Sequence, residues 1–255
     1  MGNYTKNTNT ETFYNNYLQN SYYKVQNNWD DDRQYRGYLI KNFLEFFPKD
    51  KKSNVLDIGI GDGKTLRAFK EFGYVNYFGI DIAEDLIKEA KTRDLACEHV
   101  KNTVAFLDLN KNKYSLVSIF HVIEHISKQE SVDFLERIKE SLTEDGKVII
   151  VTPSVQNIFY VGPFWDFTHV NFFTERSLSQ LCEAAGFKEI NVRSERVPIN
   201  IYGNGFLNYF RLLVSDIVIK FIQIVVNSFI RFLRFGIGTI NPKILSPNLV
   251  CICKK

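Results

Sequence analysis

The sequence has little of what defines several protein classes. It contains four cysteines in 255 residues, and the only close pair is Cys251 and Cys253, so neither a disulfide framework nor a zinc ribbon is predicted. The 32 basic and 29 acidic residues nearly balance, which leaves no electrostatic footprint for nucleic acid. Residues 1–20 are polar and lack the apolar core of a secretory signal. We expect a cytoplasmic protein that binds a small molecule.

The chain does have enough apolar sequence for one substantial core, because 45% of its residues are hydrophobic. Predicted strands lie near 54–58, 77–81, 96–100, 114–120, 147–152, 189–197 and 249–253. Predicted helices lie near 63–72, 83–92, 127–141 and 174–185. This alternation is typical of an α/β fold with a Rossmann-like, doubly wound sheet of about seven strands. We expect its ligand at the carboxyl ends of the strands.

Three alternating glycines, Gly59, Gly61 and Gly63, directly follow an apolar strand that contains Asp57. Glycine permits a positive φ and has no Cβ to keep a ligand away from the main chain. The helix predicted next would turn its N-terminus toward that ligand. The pattern indicates a nucleotide-like cofactor.

Asp81 ends the next predicted strand, 18 residues after Gly63. A carboxylate at this place can accept hydrogen bonds from both ribose hydroxyls of an adenosine cofactor. These features alone fit NAD as well. The spacing is G-x-G-x-G, however, and not the G-x-G-x-x-G of the dinucleotide fingerprint.

A third motif follows the strand predicted over 114–120, where the chain reads His121-Val122-Ile123-Glu124-His125-Ile126. The succession VLDIGIGDG, GID and SIFHVIEHI resembles the class I S-adenosylmethionine (SAM)-dependent methyltransferases. The last motif is similar to the HVLEH-type subgroup. The resemblance continues through 146–153, 166–174 and 184–187, and it covers roughly residues 50–195.

The resemblance implies SAM as the cofactor and an antiparallel last strand at the sheet edge. Asp57 would organise the glycine loop and the methionine end of SAM, Asp81 would bind the ribose, and Asn102 would face adenine, with Asp108 as a weaker candidate. The cofactor-binding residues expected from the resemblance are Asp57, Gly59, Gly61, Gly63, Asp81, Ile82, Asn102 and Phe120.

Methyl transfer to a hydroxyl requires alignment of donor and acceptor and removal of one proton. Histidine suits the second task near neutral pH. We expect His169 or His121 to be the general base, with Glu124 and Asp166 orienting them. A helix beginning at His121 would place His121, Glu124 and His125 on one face. Purely structural roles in capping and loop hydrogen bonds remain open for these histidines.

The segment His121 to His125 also matches H-x-x-E-H, the inverted zinc-protease signature. That signature belongs inside a helix, whereas this one directly follows a predicted buried strand. We therefore predict no metal ligands. Mg²⁺ bound to a diol acceptor, as in some resembling O-methyltransferases, remains an alternative.

Residues 1–48 precede the predicted SAM-binding core of residues 49–198 and are rich in tyrosine. In the resembling family such a segment forms a helical lid over the cofactor. Here Tyr14, Tyr17, Tyr22 and Tyr23 would wall the site, and Arg33 or Arg36 could meet a carboxylate. The alternative is that the tyrosines pack against the sheet.

An insertion at 199–247 separates the core from its last strand at 248–255. Between 206 and 235, polar residues recur every three to five positions among apolar ones, which predicts a helix with a wide apolar face. The uncharged run 221–230 is about half of the roughly 20 residues needed to span a bilayer. The face could pack on the core, form a homodimer or attach peripherally to the inner membrane face through Arg211, Lys220, Arg231 and Arg234.

The motifs HVIEH and DFTHVNFFT resemble those of enzymes that methylate sugars, or phosphorylated and nucleotide-activated precursors, of bacterial surface polysaccharides. We expect an O-methyltransferase with such a small-molecule acceptor. A membrane-associated quinone methyltransferase is the alternative within the class. A nicotinamide-dependent oxidoreductase and a non-catalytic SAM-binding protein are the alternatives outside it.

Overall fold

The computed structural model describes residues 32–157, 162–164, 166–196 and 246–255, together with nine helical positions between 217 and 229. Within these ranges, every helix is too short or too polar to cross a membrane. The predicted lid tyrosines at positions 14, 17, 22 and 23 lie outside the described residues.

Seven strands form one sheet in the order β3-β2-β1-β4-β5-β7-β6. The strands are β1 (Val55–Ile58), β2 (Tyr77–Asp81), β3 (Cys97–His99), β4 (Tyr114–Phe120), β5 (Leu142–Pro153), β6 (Lys188–Ser194) and β7 (Asn248–Lys254). Among the described residues, the α-helices with defined ends are α1 (Asp32–Phe43), α2 (Lys64–Glu71), α3 (Glu84–Thr92), α4 (Thr103–Asp108), α5 (Ser131–Ser141) and α6 (Glu175–Ala184). The β7 strand is antiparallel to both of its neighbours, while the other pairs are parallel. The predicted α/β fold and the antiparallel direction of the last strand are confirmed. The expected position of that strand at the sheet edge is wrong, because β7 lies between β5 and β6 and pairs with both.

Several elements differ from the sequence prediction; β5, for example, begins at Leu142 and not near 147. The helix α4 was not predicted, because six residues are too few for a clear helical period; Asn102 caps it by accepting a hydrogen bond from the Ala105 N–H. The helix predicted from residue 127 begins instead at Ser131. The extended backbone of Ile126 separates it from a short 3₁₀ turn over Ile123–His125.

Alternating residues of the strands fill two cores, one on each face of the sheet. Leu56 of β1 packs with α5 and α6, whereas its neighbour Val55 packs with α1, α2 and α3. Helices cover both faces of the sheet, so the rims formed by the ends of its strands are what they leave free. The carboxyl-end rim is where β1, β2 and β4 run into their loops.

The helix α1 belongs to the core and not to a detached lid. Phe43 is fully buried and its ring stacks on Phe120 of β4, with ring centroids 5.3 Å apart. The Tyr35 hydroxyl forms a hydrogen bond with the Thr65 hydroxyl of α2 at 2.8 Å. Arg36, one of the two arginines expected to meet a carboxylate, forms an ion pair with Glu71 of α2 at 2.5 Å.

We expect Phe43→Ala to lower the free energy of unfolding by about 3–5 kcal/mol, because it removes a fully buried ring that joins α1 to the sheet. Urea unfolding followed by circular dichroism measures this change. The control is Leu44→Ala, since Leu44 is 48% exposed. Equal, small effects of the two substitutions would show that α1 is not part of the core.

Candidate functional site

The glycine loop lies between β1 and α2. Gly59, Gly61 and Gly63 all have positive φ, at 77°, 53° and 76°. A Cβ on Gly59 would overlap the side chain of Val122, so the chain after β4 lies directly against the loop. A Cβ on Gly61 would have no atom within 4 Å. The space beside the main chain at Gly61 is therefore open, and its use by a ligand stays a prediction.

Asp81 ends β2 and connects it to the glycine loop. Its Oδ2 accepts a hydrogen bond from the Gly61 N–H at 3.2 Å, and its Oδ1 accepts one from the Ala83 N–H at 2.8 Å. Burial raises the pKa of Asp81 to about 6, although these N–H donors act against the rise. The carboxylate lies at the mouth of the loop, where a ribose could meet it.

Asp57 is more deeply buried, with 2% of its surface exposed. The Ser118 hydroxyl of β4 donates to its Oδ1 at 2.5 Å. Burial raises the pKa of Asp57 to about 8; the Ser118 hydrogen bond opposes this rise, and the charges of Asp81 and Asp62 add to it. A positively charged ligand placed beside Asp57 would favour its ionised form.

The other predicted cofactor residues surround this loop unequally. Ile82 follows Asp81 and leaves 41% of its surface exposed, as an apolar contact for a ligand would require. Asn102 follows β3 as expected, but its Oδ1 caps α4, so a role toward adenine stays a prediction. Phe120 is partly buried against Phe43. Asp108 forms an exposed ion pair with Arg137.

His121 directly follows β4 and has a positive φ of 57°, which is uncommon for a residue with a side chain. Its N–H donates to the Val151 carbonyl at 2.8 Å. Its Nδ1 lies 3.3 Å from Oε1 of Glu124, and the Thr152 hydroxyl donates to Oε2 of the same carboxylate at 3.0 Å. Glu124 is only 1% exposed, while His121 is half-exposed.

The His121 and Glu124 side chains stabilise each other's charged forms. Loss of water acts to lower the pKa of His121, but the hydrogen bond to Glu124 and the Glu124 charge bring it above its ordinary value. Burial acts to raise the pKa of Glu124, but His121 and the charge of His125 bring it below its ordinary value. The pair therefore consists of a buried carboxylate hydrogen-bonded to an imidazole, and the imidazole can take up a proton.

His125 is held by a second polar chain. The Thr168 hydroxyl donates to Oδ1 of Asp166 at 2.6 Å, which leaves its oxygen to accept from Nδ1–H of His125 at 2.9 Å. Burial lowers the pKa of His125, with Glu124 acting against this and His169 adding to it. Asp166 therefore reaches His125 through Thr168, and its main-chain carbonyl also accepts a hydrogen bond from the His169 N–H at 3.2 Å.

His169 lies next to His125, with the two ring centroids 4.8 Å apart. Its Nδ1 lies 2.8 Å from the Pro163 carbonyl, which can only accept, so Nδ1 carries the proton. The loop that contains His169 is tied to the turn after β4, since the N–H groups of Val170 and Asn171 both donate to the Glu124 carbonyl.

The three predicted histidines converge around Glu124, although a helix does not group them. The expected helix is a single 3₁₀ turn, so His121 and His125 contact different partners, and the zinc-protease interpretation loses the helix it requires. Ligand atoms of Glu124, His125 and His169 lie within 4.8 Å of one another, a spacing that would admit a cation. Each of these three groups is also engaged in the hydrogen bonds described above.

Sequence reasoning missed Ser118, Thr152, Thr168 and Asn171, which hold the acids and loops of the site. The Asn171 side-chain amide, for example, donates to the Ile126 carbonyl at 2.6 Å. Small polar residues on strands and loops carry no distinctive spacing. One signal was available for Ser118 and Thr152: each is a hydroxyl within an otherwise apolar buried strand.

We expect Asp57→Asn to stabilise the unliganded protein increasingly as the pH rises from about 4 to about 8. An acid with a raised folded-state pKa binds its proton more tightly when folded, so its ionisation lowers the free energy of unfolding across this interval. Scanning calorimetry at pH 5 and pH 8.5 would measure the difference in Tm between variant and wild type.

The control for this prediction is Glu144→Gln, which changes an exposed carboxylate far from the glycine loop. Its Tm difference from wild type should change little between the two pH values. A constant Tm difference for Asp57→Asn would contradict the argument for a buried, destabilised charge.

Comparison with known proteins agrees with this geometry. Residues 32–192 match the family model described as a methyltransferase domain. The fold is similar to a SAM-dependent methyltransferase from Archaeoglobus fulgidus, at 19% identity and a TM-score of 0.65, with 92% of this chain and 100% of that chain covered.

Two further solved structures share the fold. One is a SAM-dependent methyltransferase from Thermotoga maritima, at 14% identity and a TM-score of 0.59, with 95% and 99% covered. The other is the 1,6-didemethyltoxoflavin-N1-methyltransferase of Burkholderia thailandensis, at 17% identity and a TM-score of 0.58, with 96% and 88% covered. The sequence matches none of the curated proteins with which it was compared. The family match spans more than half of the chain, and the protein belongs to the methyltransferase-domain family.

Proposed function

We propose that this protein is an O-methyltransferase whose acceptor is a hydroxyl of a sugar, or of a phosphorylated or nucleotide-activated precursor of a bacterial surface polysaccharide. Its methyl donor is SAM, in agreement with the family and with the glycine loop beside Asp57 and Asp81. The observation that carries the proposal is the His121–Glu124 pair, which lies at the end of β4 against that loop.

His121 is our choice for the general base. The sulfonium of SAM already makes the methyl carbon electrophilic, so the protein must align the acceptor and remove its proton. Glu124 engages Nδ1 of His121 and leaves Nε2 for the acceptor hydroxyl. The positive φ of His121 is an uncommon conformation of the kind that clusters at functional sites.

The second polar chain supports a hydroxyl-rich acceptor. His125, His169 and Thr168 bring imidazole and hydroxyl groups beside Glu124, and a hydroxyl-bearing acceptor matches such polar surroundings better than an aromatic or aliphatic one. The motif resemblance points to the same acceptors. We also propose a cytoplasmic location, because the four cysteines are buried free thiols, as a reducing compartment favours.

The experiment that tests the proposal has two stages. Calorimetry with SAM, S-adenosylhomocysteine and NADH examines the cofactor, and binding of NADH alone would overturn the assignment. A screen of nucleotide sugars and sugar phosphates with a labelled methyl donor then identifies the acceptor. Donor binding without transfer to any acceptor would favour the non-catalytic alternative.

We expect His121→Ala to lower kcat by about 10²- to 10⁴-fold while SAM still binds, because it removes only the proton acceptor. Asp81→Ala should instead weaken SAM binding by about 10- to 100-fold, because it removes a buried acceptor of ribose hydrogen bonds. Calorimetry measures the binding, and steady-state kinetics on the accepted substrate measure kcat.

His169→Ala separates the two candidate bases. The variant should retain most of its kcat if His121 is the base, although its KM can rise because His169 lies beside the proposed acceptor site. If His169→Ala loses turnover and His121→Ala does not, the base is His169 and our choice is wrong.

We expect Glu124→Gln to move the acidic limb of the pH profile of kcat/KM to lower pH. The Glu124 carboxylate stabilises protonated His121, so a neutral amide lowers the pKa of His121 and the imidazole is free of its proton at lower pH. An acidic limb that does not move would show that His121 is not the group being titrated.

A further inference from the structure

Two segments with unusual surfaces leave the carboxyl-end rim of the sheet, which also carries the glycine loop. The first follows β5 after Pro153, and the second connects β6 to β7. They begin close together, because the Ser154 N–H donates to the Pro247 carbonyl at 2.9 Å and the Glu195 N–H donates to the Asn248 carbonyl at 3.1 Å. The described ends of both segments therefore lie at the rim that holds the site.

The second segment presents an exposed apolar helical surface. Of its nine described positions between 217 and 229, eight are exposed and seven of those are large apolar residues. Ile217, Phe221 and Ile224 are 59%, 66% and 63% exposed, and Val225 and Phe229 are 49% and 60% exposed. Spacings of three, four and seven residues place them on one broad side of a helix. A surface of this kind in a soluble protein marks an interaction site.

The first segment adds exposed aromatic residues near His169. Phe167 is 97% exposed, although its neighbours Asp166 and Thr168 are buried. Phe164 and Phe172 are 67% and 46% exposed, with ring centroids 5.0 Å apart. Among the described residues, eleven of the sixteen exposed large apolar side chains belong to these two segments. Exposed apolar surface is thus concentrated in them and not scattered.

The charge of the second segment identifies the partner. Residues 198–247 contain five basic residues and one acidic residue, a formal charge of +4, whereas the whole chain carries +3. In the sequence, Asp216, Lys220, Gln223 and Asn227 recur with a helical period out of phase with the exposed apolar positions. A segment of basic sequence that contains an exposed apolar helical surface is typical of binding at the surface of an anionic bilayer.

A second copy of the chain fits this charge less well. In a two-fold dimer the same surface patch meets itself, so two segments that each carry a formal charge of +4 would be brought near each other. The anionic headgroups of a lipid surface would instead neutralise that charge while the apolar side chains enter the acyl boundary.

We infer that the carboxyl-end rim docks on an anionic lipid bilayer through the helical surface at 217–229 and the aromatic loop at 164–172. The acceptor is then a sugar hydroxyl carried on a membrane lipid, which reaches the site from the bilayer surface. The docking is independent of the proposed chemistry, whereas the lipid-borne acceptor rests on the proposed methyl transfer.

The test is flotation of the full chain with vesicles of phosphatidylcholine alone or mixed with phosphatidylglycerol. We expect the wild type to float with the anionic vesicles and to be released by high salt. Phe221→Ser combined with Phe229→Ser should lower the partition at least about tenfold, because two large apolar groups no longer enter the lipid. The matched control is Val75→Ser with Leu109→Ser, since these side chains are 69% and 86% exposed at the opposite rim.

Three results would overturn the inference: no flotation of the wild type, equal loss in both double variants, or conversion of a dimer to a monomer by the Phe221 and Phe229 changes in light scattering. SAM binding by calorimetry is measured on every variant. Retained SAM binding with lost flotation shows that the docking surface alone has failed. If the wild type does not bind SAM, the result counts against the proposed function and not against the docking.

Discussion

The parallel pairing of β1 with β2 on one side and with β4 on the other is the constraint on which the site depends. It brings the carboxyl ends of three strands to one rim, where Asp81, the glycine loop and His121 follow them. The register also sets Asp57 between Gly79 and Ser118. Ser118 can therefore donate to Asp57. Gly79 leaves room for the side chains of Ile60 and Leu66, since a Cβ at position 79 would come within 2.5 Å of their methyl groups.

Electrostatics divides this rim into two parts. Asp57 and Asp81 are buried without a described cation, and both have raised pKa values. Glu124 is buried to a similar degree, yet its pKa is lowered because His121 shares its environment. In the described part of the chain no basic side chain pairs with Asp57 or Asp81, and a sulfonium cofactor would bring that charge, whereas Glu124 has its own proton-binding partner in His121. Binding of such a ligand to the folded state alone would also stabilise the fold.

The sequence allowed prediction of the strands, the glycine loop and the identity of the polar groups, because each depends on local pattern. The role of Asp166 was not predictable, since the hydroxyl of Thr168 stands between it and His125. The helix expected at His121 failed for a related reason. Hydrogen bonds to Val151 and Glu124 hold His121 with a positive φ, and this local cost is offset only by tertiary contacts.

By itself, the sequence determined the α/β class, the cofactor loop and the family, because glycine spacing and strand-end acids are local requirements of binding an adenosine group. Only the tertiary structure decided which histidine faces which acid, since His125 and His169 are 44 positions apart along the chain and meet through the rim of the sheet. It also decided that the apolar positions between 217 and 229 are exposed, because periodicity marks a face but not what covers it.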